Sequence, residues 1–250
     1  MQHMYWFITI SRKSDAEEIV ELYKKLDVPR LYCTLARGTA KSQTLDLFGI
    51  EQSEKVVHQA VITHNKLYEL KKTLETDFQI DLPDRGIALA VPLASISTKN
   101  TLDFFSGGHA EDEMTDTEQK EKSTMELIIV ICNKGYTEDV MEAARKAGAG
   151  GGTILHAKGT GTEYAEKFLG ISIVDEKEMI YIVSKKEVRN AIMQAITDNA
   201  GAGTKAHALV FSLPVTETAG FRLYGEKTEA EKRGYCADKR NILSFFIAQI

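Results

Sequence analysis

Cysteine is scarce in this chain of 250 residues. Cys33, Cys132 and Cys236 stand far apart, and no two of them form a CxxC pair. This spacing excludes the common zinc-binding motifs and a disulfide framework, and single thiols suit a reducing cytoplasm. The sequence also lacks an apolar run of the roughly 20 residues that a membrane-spanning helix requires. We therefore expect a cytoplasmic protein without a structural metal.

Excess positive charge and catalytic histidine motifs are lacking as well. The formal net charge is −5, so the chain lacks the excess of positive charge that binds a polyphosphate. This argues against nucleic acid as the principal partner. The six histidines show neither HxH nor HExxH spacing, and no serine or cysteine lies in a nucleophile elbow. His58 and His156 fall on predicted strands, where we expect structural roles. The sequence thus predicts no enzyme active site.

The chain contains an internal repeat at an offset of 121 residues, which rises to 122 near the end of each copy. Several separate landmarks keep this offset, as expected of two copies of one domain. The matching pairs are Met4 and Met125 at the start of apolar runs, residues 36–39 (ARGT) and 157–160 (AKGT), residues 48–50 and 169–171, and Pro92 and Pro214.

Each copy predicts the order strand, helix, strand, strand, helix, strand. Continuous apolar runs predict buried strands, and apolar residues three or four positions apart predict helices. The first helix is predicted to begin after the capping pair Ser14-Asp15, and its counterpart to end at Gly148. The predicted strands are residues 6–10, 31–36, 56–62 and 87–91, then 127–132, 153–157, 179–183 and 209–213. This order is typical of an α+β fold with two tandem ferredoxin-like (βαββαβ) modules.

Composition divides the chain into four parts. Residues 1–97 form the first module and residues 125–224 the second. Between them, residues 98–124 are polar and acidic, which predicts a solvated linker. Residues 225–250 are a C-terminal extension without a counterpart in the first copy. Its last nine residues (ILSFFIAQI) are too apolar to remain exposed, so we expect them to pack as an added strand or helix.

Two loops in each copy combine glycine with a cation. Glycine lets the backbone approach a ligand, amides and a threonine hydroxyl can face oxygen atoms, and the cation balances negative charge, so such loops suit phosphate. Ordinary turns and helix caps are the open alternative. After the second strand these residues are Arg37, Gly38 and Thr39, then Lys158, Gly159, Thr160 and Gly161; before the fourth strand they are Arg85 and Gly86, then Gly203, Thr204 and Lys205.

These loops, the repeat and the closing sequences at residues 87–93 and 208–215 resemble the PII nitrogen regulatory and PII-like signal proteins. The resemblance spans residues 4–96 and 125–222. It implies that the loop after the second strand is a T-loop that touches a target protein, and that the loop before the fourth is a B-loop. An adenine nucleotide would bind between neighbouring modules. Matched to the family pattern are Gly38, Gly159 and Gly161 at the T-loop base, Gly86 in the B-loop, and Arg222 as a phosphate-facing cation.

The sequence departs from the family pattern at the expected phosphate ligands. The B-loop lysine is absent in both copies, and Ile50 and Ile171 stand where the family has a further lysine. The resemblance therefore implies ADP, AMP or a cyclic adenylate as effector ahead of ATP. Ala40 stands in place of Gly161, which leaves open a purely structural first copy.

The resemblance implies a regulator of nitrogen metabolism that controls a partner protein, such as a membrane transporter or a metabolic enzyme. It also implies a homo-oligomer, with a trimer of chains stacking its six modules in two rings. Two alternatives stay open: a ferredoxin-like enzyme acting on a small apolar substrate, and a metal-binding trimer of the CutA type. A catalytic dyad in a cavity would favour the enzyme, whereas cations facing a cleft between modules would favour the regulator.

Overall fold

The computed structural model describes residues 4–39, 53–82, 84–107, 124–158, 167–168, 171–172 and 176–220. The first half contains β1 (Met4–Arg12), α1 (Ala16–Lys25), β2 (Tyr32–Gly38), β3 (Ser53–Thr63), α2 (His64–Thr76), β4 (Gly86–Pro92) and α3 (Lys99–Ser106). The second half contains β5 (Met125–Asn133), α4 (Thr137–Lys146), β6 (Thr153–Lys158), β7 (Lys167–Phe168), β8 (Ile171–Ser172), β9 (Glu176–Lys185), α5 (Lys186–Ala200), β10 (Leu209–Val215) and β11 (Glu217–Ala219).

The predicted fold class is confirmed. Within the first half the strand order is β4-β1-β3-β2, and within the second half it is β10-β5-β9-β6. All neighbouring strands in these sets are antiparallel. Each half is therefore a ferredoxin-like sheet carrying two helices, one between its first and second strands and one between its third and fourth.

Helix ends follow the sequence in one copy and depart from it in the other. Gly148 adopts φ 101° just after α4, as predicted for a glycine that ends a helix. Asp15 does not cap α1 with its side chain, so this part of the prediction is wrong. Its carboxylate instead accepts hydrogen bonds from the Arg12 guanidinium at 2.9 and 3.2 Å. A charged partner three residues away outcompetes the backbone amides of the first turn.

The two modules join in one nine-stranded sheet. The end of β2 pairs with the start of β6, and β11 returns from the second module to pair with β4 of the first. Only Thr216 separates β10 from β11, although these strands stand at opposite ends of the strand order, so the sheet curls back on itself. The modules thus lie side by side, which differs from the expected arrangement in separate stacked rings.

Side chains point alternately to the two faces of each strand, and this produces three hydrophobic cores. On β1, Tyr5 and Phe7 point toward α1 and α2, whereas Ile8 and Ile10 point to the opposite face. The second module buries its own helices against β5 and β9 in the same way. The opposite faces of both modules meet in a shared core, which contains Ile8, Ile10, Ala36, Val57, Leu89, Val91, Leu127, Ile129, Leu155, Tyr181 and Val215.

The predicted linker begins with a helix that composition did not indicate. Thr98 accepts a hydrogen bond from the Thr101 amide at the start of α3, and Gly107 ends the helix in the left-handed conformation with φ 68°. Apolar Leu102, Phe104 and Phe105 are confined to this short stretch, which the acidic residues that follow obscure in a composition average. None of the described helices is long and apolar enough to cross a bilayer.

Replacing Gly86 by alanine is expected to lower the free energy of unfolding by about 1–3 kcal/mol, the usual cost of overpacking. A Cβ at this position would lie 2.4 Å from the carbonyl oxygen of Ile10 in the neighbouring strand. Gly203→Ala is the matched control, because a Cβ there meets nothing within 4 Å. Urea unfolding of both variants tests this; equal stabilities would contradict the tight approach at Gly86.

Candidate effector site at the module junction

Two pockets lie at the ends of β2 and β6, close to the junction of the modules. The first basic pocket has a volume of about 180 Å³ and is lined by Lys13, Leu35, Ala36, Arg37, Glu54, Lys55 and His156. The second basic pocket has a volume of about 370 Å³ and is lined by Lys134, His156, Ala157, Lys158, Glu176 and Lys177. His156 borders both pockets, so they adjoin at the junction of the modules.

The two pockets are equivalent under the internal repeat. Each charged residue of one pocket has a residue of the same sign at the equivalent position of the other. The pairs are Lys13 and Lys134, Arg37 and Lys158, Glu54 and Glu176, and Lys55 and Lys177. Both modules therefore build the same charge pattern from the same strands, and the pocket is a feature of the module.

The charge of each pocket opposes that of the whole chain. Each is lined by three cations and one carboxylate, whereas the chain carries a formal net charge of −5. A concave surface with one dominant sign of charge concentrates ligands of the opposite sign. Both pockets therefore favour small anions.

The cations of the first basic pocket already have carboxylate partners. Lys13 pairs with Glu54 at 3.1 Å, and Lys55 pairs with Asp84 at 2.9 Å. Arg37 Nη2 lies 3.4 Å from Oε1 of Glu178, which belongs to the second module. Its Nε is buried without a hydrogen-bond partner among the described residues. The charge of this pocket is thus largely neutralised from within the protein.

The second basic pocket differs from the first at Lys158, the counterpart of Arg37. Lys134 pairs with Glu176, and the hydrogen bond it donates lowers the pKa of that carboxyl. Lys177 Nζ donates to the Asn133 side-chain oxygen at 2.6 Å. Lys158 forms no ion pair within 4 Å in the part of the chain that the structure describes; it pairs with Glu176 in the β6–β9 ladder, and its charge, after that of Lys134, contributes to the lowered pKa of that carboxyl. Lys158 is therefore the pocket cation best placed to bind an anion.

A buried carboxylate lies close to Arg37 and His156, which line the pockets. Glu178 accepts hydrogen bonds from Thr137 Oγ1 at 2.5 Å and from the Gly135 amide at 3.1 Å, both at the start of α4. Amides at a helix N-terminus stabilise a negative charge. Because Arg37 also donates to Glu178, this carboxylate ties the end of β2 to the second module.

His156 differs from the expected structural histidine. Its side chain is exposed, and Arg37 Nη2 lies 3.0 Å from its Nε2. Its Nδ1 lies 3.7 Å from Glu178. Under the repeat, His156 is equivalent to Leu35, so only the second module has a polar side chain at this position. His156 lines the site because β6 is exposed on this face beyond its short ladder with β2.

His58 is the structural histidine that the sequence predicts. It is fully buried, with Nε2 3.2 Å from Ser11 Oγ and Nδ1 3.3 Å from Cys33 Sγ. Burial lowers the pKa of His58 to about 4 and raises the pKa of the Cys33 thiol. Both groups are therefore neutral near pH 7, and the cysteine is not an activated nucleophile. This contact gives no support to the enzyme alternative.

The buried His58 should make stability fall in mild acid. In the unfolded chain its pKa returns to about 6.5, so the unfolded state binds the proton first as the pH falls from about 6.5 to 4. The stability present above pH 6.5 should drop by about 3 kcal/mol over that window and stay level below it. Urea unfolding of the wild type and of His58→Gln between pH 4 and 8 tests this; identical pH profiles would contradict it.

Thr39 does not form the expected cradle for a ligand. Its amide and its hydroxyl both donate toward the Gly152 carbonyl, at 2.9 and 3.0 Å, and the hydroxyl also accepts from the Gly152 amide at 2.8 Å. Arg145 donates to the Thr39 carbonyl at 3.0 Å. Gly38 lies beside it, buried against β3 and paired with Thr153. This loop base holds the two modules together. Predicting that role would require knowledge of which strand edges meet.

The side chain of Arg85 is likewise held by contacts within the protein. Its guanidinium lies 4.1 Å from the centroid of the Phe78 ring and donates to the Phe78 carbonyl at 2.8 Å. Glu18 lies 3.4 Å away. An aromatic ring and a carbonyl within its own module thus hold the Arg85 side chain, and its phosphate-facing role stays a prediction.

The predicted B-loop of the second module is a compact turn. Thr204 Oγ1 donates to the Gly201 carbonyl at 2.9 Å and accepts from the Ala206 amide. Lys205 is exposed, and its carbonyl accepts from Asn133. Gly203 is exposed as well, so of the predicted residues here only Gly203 and Lys205 face open space. Neither lines the two basic pockets.

Four predicted residues lie outside the described part of the chain: Gly159, Thr160, Gly161 and Arg222. Conversely, the predicted site missed Lys134, Glu176, Lys177 and His156. Alignment of the two copies could have identified the first three, because a lysine or glutamate recurs at each position. Among the described residues, no group of three or more metal-ligating side chains comes together.

Comparison with known proteins identifies one family. Residues 125–224 match the family described as Nitrogen regulatory protein P-II. No curated protein matches the chain. A similar solved structure is Arabidopsis thaliana PII bound to citrate, with 20% sequence identity and a TM-score of 0.31, covering 42% of this chain and 96% of that one. The PII-family resemblance carried by the sequence is thereby confirmed for residues 125–224.

Proposed function

We propose that this protein is a PII-like regulator whose second basic pocket binds a small anionic effector. The observation that carries the proposal is Lys158 at the end of β6, a cation that forms no ion pair within 4 Å with a described residue, in a pocket with two more lysines. The family match over residues 125–224 covers all lining residues of this pocket. The same family match supports a non-enzymatic role.

An adenine nucleotide is the first effector to consider, with ADP, AMP and cyclic adenylates ahead of ATP. Three lysines and one carboxylate line the pocket, so its net positive charge balances one or two phosphates better than three. The volume of about 370 Å³ suits the phosphate and ribose, and the base would extend over the neighbouring surface. In this proposal the first basic pocket has a structural role, because Glu54, Asp84 and Glu178 neutralise its cations.

Binding would regulate a partner through the loop that begins at Lys158. This residue is the last of β6 and directly precedes the predicted T-loop, so an anion held there favours those loop conformations that keep the lysine in place. The resemblance implies that the partner is a transporter or a metabolic enzyme. This partner would bind the loop conformations of the effector-bound and effector-free protein differently. A cytoplasmic setting remains a prediction from the sequence.

Isothermal titration calorimetry of the full chain with ADP, AMP, ATP and cyclic di-AMP tests the proposal. We expect micromolar affinity for at least one of them, with one site per chain. Two sites per chain would show that the first basic pocket also binds. No heat from any adenylate, with the protein folded by circular dichroism, would contradict the proposal of an adenylate effector.

A further inference from the structure

His156 brings a titratable side chain into the second basic pocket. It lies two positions before Lys158 on β6, so both side chains project from the same face of the strand. Across the β6–β9 ladder these two residues pair with Glu178 and Glu176. The His156 side chain is 56% exposed and borders both pockets. A charge on this ring would therefore act directly on an anion bound at Lys158.

The contact with Arg37 identifies the protonation state of His156 in this structure. A guanidinium has only N–H donors, so Arg37 Nη2, which lies 3.0 Å from His156 Nε2, donates to the lone pair of that nitrogen. A neutral imidazole with its lone pair on Nε2 carries its proton on Nδ1. His156 Nδ1 lies 3.7 Å from Glu178 Oε1, too far for a hydrogen bond. The observed geometry thus belongs to the neutral ring.

A second proton on the ring is incompatible with this contact. Protonation of Nε2 would direct its N–H at the N–H groups of Arg37, and neither side could accept. Arg37 Nη2 keeps an acceptor in Glu178 Oε1, 3.4 Å away, so it can give up the ring without losing every partner. Protonation of His156 therefore breaks the contact with Arg37 and adds one positive charge on the face of β6 that carries Lys158.

Charged groups on the neighbouring strands act on the ring. Arg37 on β2 opposes its protonation, and Glu178 on β9 favours it. The other charged residues of the two pockets are Lys13, Glu54 and Lys55 in the first, and Lys134, Lys158, Glu176 and Lys177 in the second. Lysines outnumber carboxylates here, so a bound anion offsets the excess positive charge and favours the charged imidazole. By linkage, the charged imidazole then favours the anion equally.

We propose that His156 makes the second basic pocket a proton-coupled anion site, which binds its ligand more tightly when the imidazole is charged and released from Arg37. This inference rests on the proposed anion binding at Lys158. The first basic pocket lacks the device, because the repeat places Leu35 at the equivalent position. Imidazole is the side chain that ordinarily changes its charge between about pH 5 and 8, which sets the range to test.

Calorimetric titration of the full chain with cyclic AMP at about pH 6 and about pH 8 tests the proposal. Cyclic AMP is a phosphodiester whose charge is constant in this range, whereas a terminal phosphate titrates near pH 6. The wild type should bind at least about fivefold more tightly at the lower pH, because one unit charge is added beside the anion. His156→Gln keeps an acceptor for Arg37 but cannot be charged, so its affinity should change less than about twofold. Equal pH dependence in both proteins would overturn the proposal.

Inorganic sulfate gives a second measurement that requires no adenylate. An anion that binds the folded chain raises its thermal midpoint, so the midpoint is compared in about 20 mM sodium sulfate and in sodium chloride of equal ionic strength. The gain from sulfate is taken separately at each pH, because His58 itself makes stability depend on pH. The gain should be larger at pH 6 than at pH 8 in the wild type and equal at both in His156→Gln.

The two measurements separate the failure of this inference from that of the proposed function. Adenylate binding with the same affinity at both pH values would overturn the proton coupling alone. A sulfate effect that depends on pH and on His156, without binding of any adenylate, would support the proton-coupled site and contradict the adenylate effector. A sulfate effect that is the same in the wild type and in His156→Gln, without adenylate binding, would overturn both.

Discussion

Replacing Lys158 by glutamine is expected to lower the affinity for ADP at least tenfold. A hydrogen bond from a charged donor contributes about 1.5–3 kcal/mol, and about 1.4 kcal/mol corresponds to a tenfold change in affinity. Glutamine keeps a polar side chain but removes the charge, and Lys158 has no described ion pair whose loss would disturb the fold. Calorimetric titration of the wild type and the variant measures the effect.

Arg37→Gln is the matched control for Lys158→Gln, because the repeat places the two residues at the same position. Arg37 already faces Glu178 and His156, so its loss should change the affinity by less than about threefold, below 0.7 kcal/mol. An equal loss in both variants would contradict the assignment of binding to the second basic pocket. A larger loss for Arg37→Gln would place the effector in the first.

Replacing Leu89 by alanine is expected to lower the free energy of unfolding by about 2–5 kcal/mol, the range for leucine in a packed core. Leu89 is fully buried in the shared core, where strands of both modules meet. Both modules should therefore unfold together at a lower urea concentration. Leu35→Ala is the control: this leucine is 68% exposed, and its removal should change stability by less than about 0.5 kcal/mol.

The single tryptophan provides a probe of that shared core. Trp6 lies on β1, and its ring packs edge-on against Tyr181 of the second module with centroids 6.5 Å apart. Its fluorescence and the far-ultraviolet circular dichroism should report the same unfolding midpoint in Leu89→Ala. Two separate transitions, one for each module, would contradict a core that both modules share.

The sequence predicts the elements well because their signals are local. The runs at β1 and β5 are continuous in apolar residues, and helical spacing marks α2 and α5. The repeat then strengthens each assignment, since every element occurs twice. The same local signals place Lys158 at the end of β6, where the structure has it.

The junction of the modules is what local signals do not reveal. Thr39 has the composition of a ligand-facing loop, yet Gly152, 113 positions away, takes its hydrogen bonds. Arg85 similarly joins Phe78 instead of solvent. Which strand edges meet depends on the curvature of the whole sheet. No periodic pattern in the sequence indicates that curvature. The two basic pockets form at that junction, so the sequence places Arg37 and Lys158 there without the residues that surround them.

Hydrogen exchange of the full chain with and without 1 mM ADP tests the central claim most directly. Binding in the second basic pocket should slow exchange at the end of β5, the end of β6 and the start of β9, because Lys134 directly follows β5 and Lys158 and Lys177 lie on the other two strand ends. The equivalent ends in the first module should exchange unchanged. Protection confined to the first module, or no protection at any of these strand ends, would contradict the account.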